Sequence, residues 1–297
     1  LFKSKLLLLA ACCIILSSCS QDRPASKPIA SNASSNQPPE ANSVDLPDQS
    51  GTEANDSSLN GNSGSAPTEN VQPQEASTEP PEIPQHKYHI NNVYRVVPNE
   101  DGIEKKVVLL TFDDGPKEKE MLEGLLDTLD KHEAKAIFFV NGYRVKSNPD
   151  LLKLIYDRGQ IIGNHSWDHI DLKKESADSA RKQVEDVQQI VEETVGERPR
   201  FFRPPFGSGN ETLHSIVEEN DMIYMTWSNG SLDWDAKFKN KPDGVIQNVM
   251  DQLHPGSNIL MHELPWTEEA LDELLTKIET EGYGFVDPRT ISAPPEN

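Results

Sequence analysis

The chain has 297 residues, 35% of them hydrophobic, with 22 Pro against 17 Gly and a net charge of −21 from 28 Lys and Arg and 49 Asp and Glu. That length allows two domains at most, and the lean apolar content means that part of the chain does not fold. The charge excludes a nucleic-acid partner, which a polyanion would repel, and after the first twenty residues no run approaches the roughly 18 apolar residues of a membrane-spanning helix.

In chain order, Lys3 and Lys5 precede an apolar run from Leu6 to Leu16, a basic start and a core too short for a transmembrane helix. Residues 1–18 therefore read as a secretory signal. The following Leu16-Ser17-Ser18-Cys19 is similar to a bacterial lipobox, which makes Cys19 the expected lipidation site; a plain signal peptide beside a chance cysteine is the alternative. The other cysteines are Cys12 and Cys13, so the folded part has no disulfide and rests on its apolar core. Residues 19–85 are rich in Ser, Asn, Pro, Glu, Gln and Ala, cannot bury enough apolar area to offset their entropy, and read as a disordered acidic linker. As a random coil, such a tether reaches about 45 Å.

Residues 86–104 read as a short β extension, with Tyr88, Ile90, Val93, Tyr94, Val96 and Val97 before an Asn99-Glu100-Asp101-Gly102 turn. From there strands and helices alternate. Strands are expected at Lys106 to Phe112, Ala136 to Val140, Gln160 to Gly163, Arg200 to Arg203, Met222 to Trp227 and Asn258 to His262. Helices are expected at Lys119 to His132, after Asn148-Pro149-Asp150, from about Ser176 to Val195, and near Thr212 to Glu219, Asp243 to Leu253 and Thr267 to Glu281. This is the pattern of a parallel α/β fold, open or barrel-like, in which chemistry sits at the carboxyl ends of the strands.

Those ends carry polar residues. The first strand runs into Asp113-Asp114-Gly115-Pro116, where two adjacent carboxylates require a metal or an arginine beside them; an Asp-Gly-Pro turn at an acidic helix start is the plainer reading. The third ends in His165-Ser166-Trp167-Asp168-His169, a spacing that places two imidazoles on one side of a helical turn, as a zinc-type ion accepts them, although a pair of this kind also arises by chance. Arg203-Pro204-Pro205-Phe206 follows the fourth; the prolines have no N–H, so the Phe206 amide is the first free donor in a stiff loop. The next strand leads to Asp233-Trp234 and the last to Leu260-Met261-His262-Glu263. Chance does not readily place such residues at five successive strand ends.

These five segments, in this order, resemble the NodB-homology polysaccharide deacetylases, the fourth family of carbohydrate esterases, over roughly Lys105 to Thr290. The resemblance implies a distorted, incomplete (β/α) barrel over residues 105–292 that removes acetyl groups from N-acetylated sugars with one divalent metal ion, Zn first, with Co or Ni able to replace it. It assigns Asp114, His165 and His169 to the metal, Asp113 as general base and His262 as general acid. Arg203 holds the base, Asp233 orients the acid, and Trp234 and Leu260 wall the acetyl pocket. The chemistry is consistent: the Phe206 amide and the metal receive the oxyanion, and Asp233 raises the pKa of His262 so that it can protonate the leaving amine. The chain departs from the family in having Gly230 where an Asp is frequent, Phe206 in place of Tyr, and Glu263 where Asp is frequent. His262-Glu263 does not open a zinc-protease helix, since no second histidine follows and Pro265 intervenes; Asp233-Trp234-Asp235 is no calcium loop, because Lys237 and Lys239 occupy ligand positions. Trp167, Trp234 and Trp266 are candidates for stacking on sugar, with packing as the alternative for Trp167 and Trp266.

The expected enzyme is a monomer, anchored through lipid to the outer face of a bacterial membrane within the wall, and acting on N-acetylglucosamine residues of peptidoglycan. Chitin oligomers or an exported polysaccharide are the alternative substrates. A glycan-binding wall lipoprotein with weak catalysis is the alternative class.

Overall fold

A computed structural model describes residues 85–293. The expected signal peptide, Cys19 and all but the last residue of the linker lie outside the described residues. The first described strands are β1 (Tyr88–Ile90) and β2 (Val96–Pro98), an antiparallel hairpin. There follow β3 (Val107–Gly115), α1 (Lys119–Lys131), β4 (Ala136–Val140), α2 (Gly142–Ser147), α3 (Pro149–Asp157), β5 (Ile161–Asn164) and α4 (Ala177–Val195). The second half comprises β6 (Phe201–Phe202), α5 (Glu211–Glu219), β7 (Ile223–Tyr224), β8 (Asn229–Gly230), α6 (Pro242–Asp251), β9 (Ser257–His262), α7 (Pro265–Thr280), β10 (Gly284–Phe285) and β11 (Ile291–Ser292).

The large sheet is parallel throughout, in the order β7-β6-β5-β4-β3-β9-β8, with β10 added beside the start of β3. It curls into a barrel left open between β7 and β8, which do not pair. The expected strand from Met222 to Trp227 is thus corrected: only Ile223–Tyr224 pairs with β6, and Asp233 follows the separate two-residue β8. A strand this short carries too little alternation to be recognised in sequence.

Side chains alternate across the strands, and the two faces have different tasks. Val108, Leu110 and Phe112 of β3, Phe138 and Val140 of β4, and Ile259 and Met261 of β9 pack outward against helices. The helical partners include Leu122, Leu125, Leu126 and Leu129, one stripe of α1. The intervening residues face the interior, where Leu109, Ile137, Phe139, Phe201 and Met225 form an apolar plug. One step further along the same faces, Thr111, Asp113 and His262 make the interior polar.

The β extension is built into this plug. Tyr88, Ile90 and Val96 join the interior cluster, and β11 pairs in parallel with β1. Val96 N–H donates to Gly256 O at 2.9 Å. Gly256 has φ +74°, and a Cβ there would lie 2.1 Å from Val96 O, so the close approach of the two segments depends on glycine.

Candidate active site

At the end of β3 the register against β4 shifts between Asp113 and Gly115, and Asp114 takes φ +67°. Such a bulge re-aims a side chain, and here it sends the adjacent carboxylates to different partners. Asp113 accepts a 2.7 Å bond from Arg203 Nη1. Asp114 Oδ1 lies 3.2 Å from His169 Nε2 and 3.6 Å from His165 Nε2. Asp113 thus takes the arginine, His169 stands beside Asp114, and His165 Nε2 lies 3.6 Å from an oxygen of each carboxylate.

Arg203 is fully buried. Its Nη1 also donates to Thr111 Oγ1 (2.8 Å), its Nη2 donates to Thr226 O (2.8 Å) and Asn258 Oδ1 (3.2 Å), and its guanidinium lies over the Phe139 ring. Burial of a cation is tolerated only with partners of this kind. Thr111 and Asn258 were not foreseen as parts of the site. Thr111 stands two positions before Asp113 on the same strand face, so period two was the available signal.

The two histidines come together, but not on a helical turn as expected. Residues 165–169 form a loop after β5, with positive φ at Ser166 (64°) and His169 (55°). Asn164 Oδ1 accepts the Ser166 N–H, and Asn141 Nδ2 donates to His165 O, so two buried asparagines shape the loop. His165 Nδ1 donates to Arg203 O at 2.6 Å, leaving Nε2 with its lone pair toward the carboxylates. Burial drives the His165 pKa down despite Asp113 and Asp114, and so favours the neutral imidazole. At Asp114 burial acts to raise the pKa, but His165, His262, His169 and Lys117 together hold it below its ordinary value.

One donor atom from each of Asp114, His165 and His169 lies within 4.8 Å of the others, a group that could hold a metal ion. The chemistry of the residues fits: Asp114 Oδ1 is buried without a hydrogen-bond partner, and one carboxylate with two imidazoles is a zinc-type donor set.

Across β3 and β9, Asp113 and His262 are direct Cα partners. His262 Nδ1 donates to Asp233 Oδ1 at 2.8 Å, and the buried Asp233 Oδ2 accepts from the His262 N–H and Thr267 Oγ1, each at 2.7 Å. Burial alone would lower the His262 pKa, but the hydrogen bond and charge of Asp233, with Asp113 and Asp114 behind it, raise it. Thr267, in the first turn of α7, was likewise not foreseen.

Phe206 sits in a 3-10 turn with φ +61°; the residue is 67% exposed, and its ring is edge-on to His169 at 4.8 Å. Trp234 is also exposed and lies 5.3 Å from His262, centroid to centroid. Leu260 is buried between Asn258 and His262 on the interior face of β9. Trp266 donates its indole N–H to Asp233 O, and Trp167 covers Gly142; both are partly buried and pack against the outer core. Glu263 is buried behind the cleft, where it accepts the Lys117 N–H at 2.9 Å.

A polysaccharide deacetylase family model matches residues 101–225. The chain is 34% identical over 187 residues to a peptidoglycan-N-acetylglucosamine deacetylase of Bacillus cereus, taking in 61% of this chain and 66% of that protein. It is 37% identical over 193 residues to the peptidoglycan-N-acetylmuramic acid deacetylase PdaC of Bacillus subtilis, 64% of this chain but 40% of that one. The chain thus spans less than two thirds of either relative. Among solved structures, a CE4 family pseudoenzyme from Bacillus anthracis is similar, with TM-score 0.58 and 36% identity over 61% of this chain and 63% of its own.

Proposed function

The chain belongs to the polysaccharide deacetylase family, and we propose that it hydrolyses the acetamide of N-acetylglucosamine residues in peptidoglycan, releasing acetate. The observation that carries this reading is the pairing of Asp113, held by Arg203, directly opposite His262, held by Asp233, beside the Asp114–His165–His169 cluster. A carboxylate aimed by an arginine, facing an imidazole whose pKa a second carboxylate raises, supplies the base and the acid that amide hydrolysis needs.

Asp114, His165 and His169 would hold the divalent ion, Zn by donor chemistry with Co or Ni accepted in the same set. When bound, that ion supplies Lewis acidity to the acetamide carbonyl and to a water. The protein's own residues do the rest. Asp113 takes the water's proton, and Arg203 keeps the carboxylate aimed. The Phe206 N–H, which follows two prolines, is the donor for the developing oxyanion. His262, whose raised pKa favours the imidazolium, protonates the departing amine. Leu260 and Trp234 border the space for the acetyl methyl.

The lipobox reading of Leu16–Cys19 would tether the enzyme to the outer membrane face, within reach of the wall; incorporation of labelled fatty acid, abolished in Cys19→Ala, checks it. Chitin oligomers or an exported polysaccharide are the second substrate reading. Similarity to a pseudoenzyme favours one further reading, a wall-binding protein with weak catalysis. Acetate release from wall glycan and chitin oligomers, before and after chelation and zinc return, tests all three. Release that chelator abolishes, zinc restores and Asp113→Asn lacks supports the enzyme. No release from either polymer by metal-loaded protein refutes wall glycan and chitin as substrates and leaves the exported polysaccharide or the binding protein; otherwise the preferred polymer decides between the substrates.

A further inference from the structure

The opening of the barrel between β7 and β8 is crossed by residues 225–228, which include the half-buried Trp227. Its backbone is fixed on either side: Thr226 O accepts from Arg203 and Asn258, and Ser228 N–H donates to Asn258 O at 3.0 Å. The indole lies lengthwise between two glycines. A Cβ on Gly207 would stand 3.0 Å from the six-membered ring at Cη2. A Cβ on Gly230 would stand 3.7 Å from Nε1 and 3.5 Å from Trp234 Cη2, in ordinary contact with nothing closer. Trp227 therefore joins the Phe206 loop to Trp234, with its ring 6.3 Å from that of Trp234 at 64°, while Trp234 in turn lies 5.3 Å from His262. The indole N–H has no hydrogen-bond partner among the described residues, and it is not among their sealed, unpaired polar atoms.

A fixed ring, half-buried and carrying a free donor, beside a cleft that takes a sugar polymer, is the means by which proteins hold a pyranose: apolar face on the ring, acceptor oxygen on the N–H. We propose that Trp227 is a specificity-determining contact for the sugar next to the one deacetylated, with its unpaired N–H donating to an acceptor oxygen of that sugar. This rests on the glycan reading of the cleft. It deepens that reading by giving the site an extended polymer rather than a single sugar to recognise.

The test is calorimetric titration of the full chain, freed of metal so that no turnover consumes the ligand, with the N-acetylglucosamine tetramer. Trp227→Phe keeps the ring, loses the donor, and should bind about fivefold more weakly. Trp227→Ala loses both, and should bind about thirtyfold more weakly. Gly230→Asp places a carboxylate within reach of the indole N–H and should match the Phe variant. Because both changes remove one hydrogen bond, the double variant Trp227→Phe with Gly230→Asp should lose no more than either alone. Thermal unfolding and zinc content of the Phe variant should stay at the wild-type level, which separates a ligand contact from a packing role. Unchanged binding in the Phe and Ala variants, multiplied losses in the double variant, or no tetramer binding by the wild type overturns the proposal. Acetate release from wall glycan and from chitin oligomers is measured separately with metal-loaded protein: a wild type that binds the tetramer through Trp227 but releases acetate from neither overturns the deacetylase reading of these glycans and leaves this one standing.

Discussion

Replacing Glu263 by Gln should stabilise the protein in alkali and leave it unchanged in acid. Glu263 is 1% exposed; one carboxyl oxygen accepts the Lys117 N–H, and the other is buried against Gly115 with no partner. Burial outweighs that bond and the charges of Lys117 and Arg144, and pushes its pKa from 4.5 up to about 7. The folded protein thus holds this proton more tightly than the unfolded chain does. The contribution to stability is whole below pH 4.5 and is lost as pH rises through about 7. At about 1.4 kcal/mol per pKa unit, the loss comes to about 3 kcal/mol. Gln reproduces the protonated acid, with one oxygen for Lys117 and a neutral group beside Gly115, and has no proton to lose. Urea unfolding of both proteins at about pH 4 and about pH 9 should therefore show equal stability in acid and an advantage of about 3 kcal/mol for the variant in alkali. Groups remote from Glu263 cancel in the difference. An equal difference at the two pH values, or a variant weaker in alkali, would refute the reasoning, because it would mean that Lys117 and Arg144 fully satisfy the ionised carboxylate.

Arg203→Met strips a buried carboxylate of its partner and should cost about 3–5 kcal/mol; adding Asp113→Asn should recover much of this, and a denaturation cycle showing simple additivity would count against the pair. Asp233→Asn should lower kcat by a factor of about 10² to 10⁴. It should also move the alkaline limb of the pH–rate profile to lower pH, since Asp233 is what raises the His262 pKa against its burial; a reduced rate with an unmoved limb would contradict that role. His169→Gln should abolish stoichiometric zinc binding, read by elemental analysis, with little effect on the melting of the metal-free protein, as His169 is only partly buried. Gly256→Ala, at positive φ and 2.1 Å from Val96 O, should cost at least about 2 kcal/mol and lower Tm by about 5 °C or more; a shift below about 1 °C would show that the β extension does not depend on this approach.

The alternation of strands and amphipathic helices, and the polar residues at five strand ends, were legible in the chain because period and spacing are local properties. The stripe Leu122, Leu125, Leu126 and Leu129 needs only its own helix to be recognised. Asp113, Asp114, His165, His169, Arg203, Asp233 and His262 could be collected at one barrel end by counting strand ends alone. What each side chain meets there is not local. The bulge that parts Asp113 from Asp114, and the left-handed residues that bring His165 and His169 together without a helix, arise from pairing between β3 and β4 and from buried asparagines on neighbouring segments. Arg203 meets Thr111 92 positions away and Asn258 55 away, and Asp233 meets Thr267 34 away. The short strands β8, β10 and β11, the docking of β1 on β11 and the place of Trp227 in the barrel opening belong to the same class. They contain two residues, or one side chain, whose preference is too weak to register until the folded sheet supplies partners, because desolvation and hydrogen bonding act between segments that only folding brings within reach.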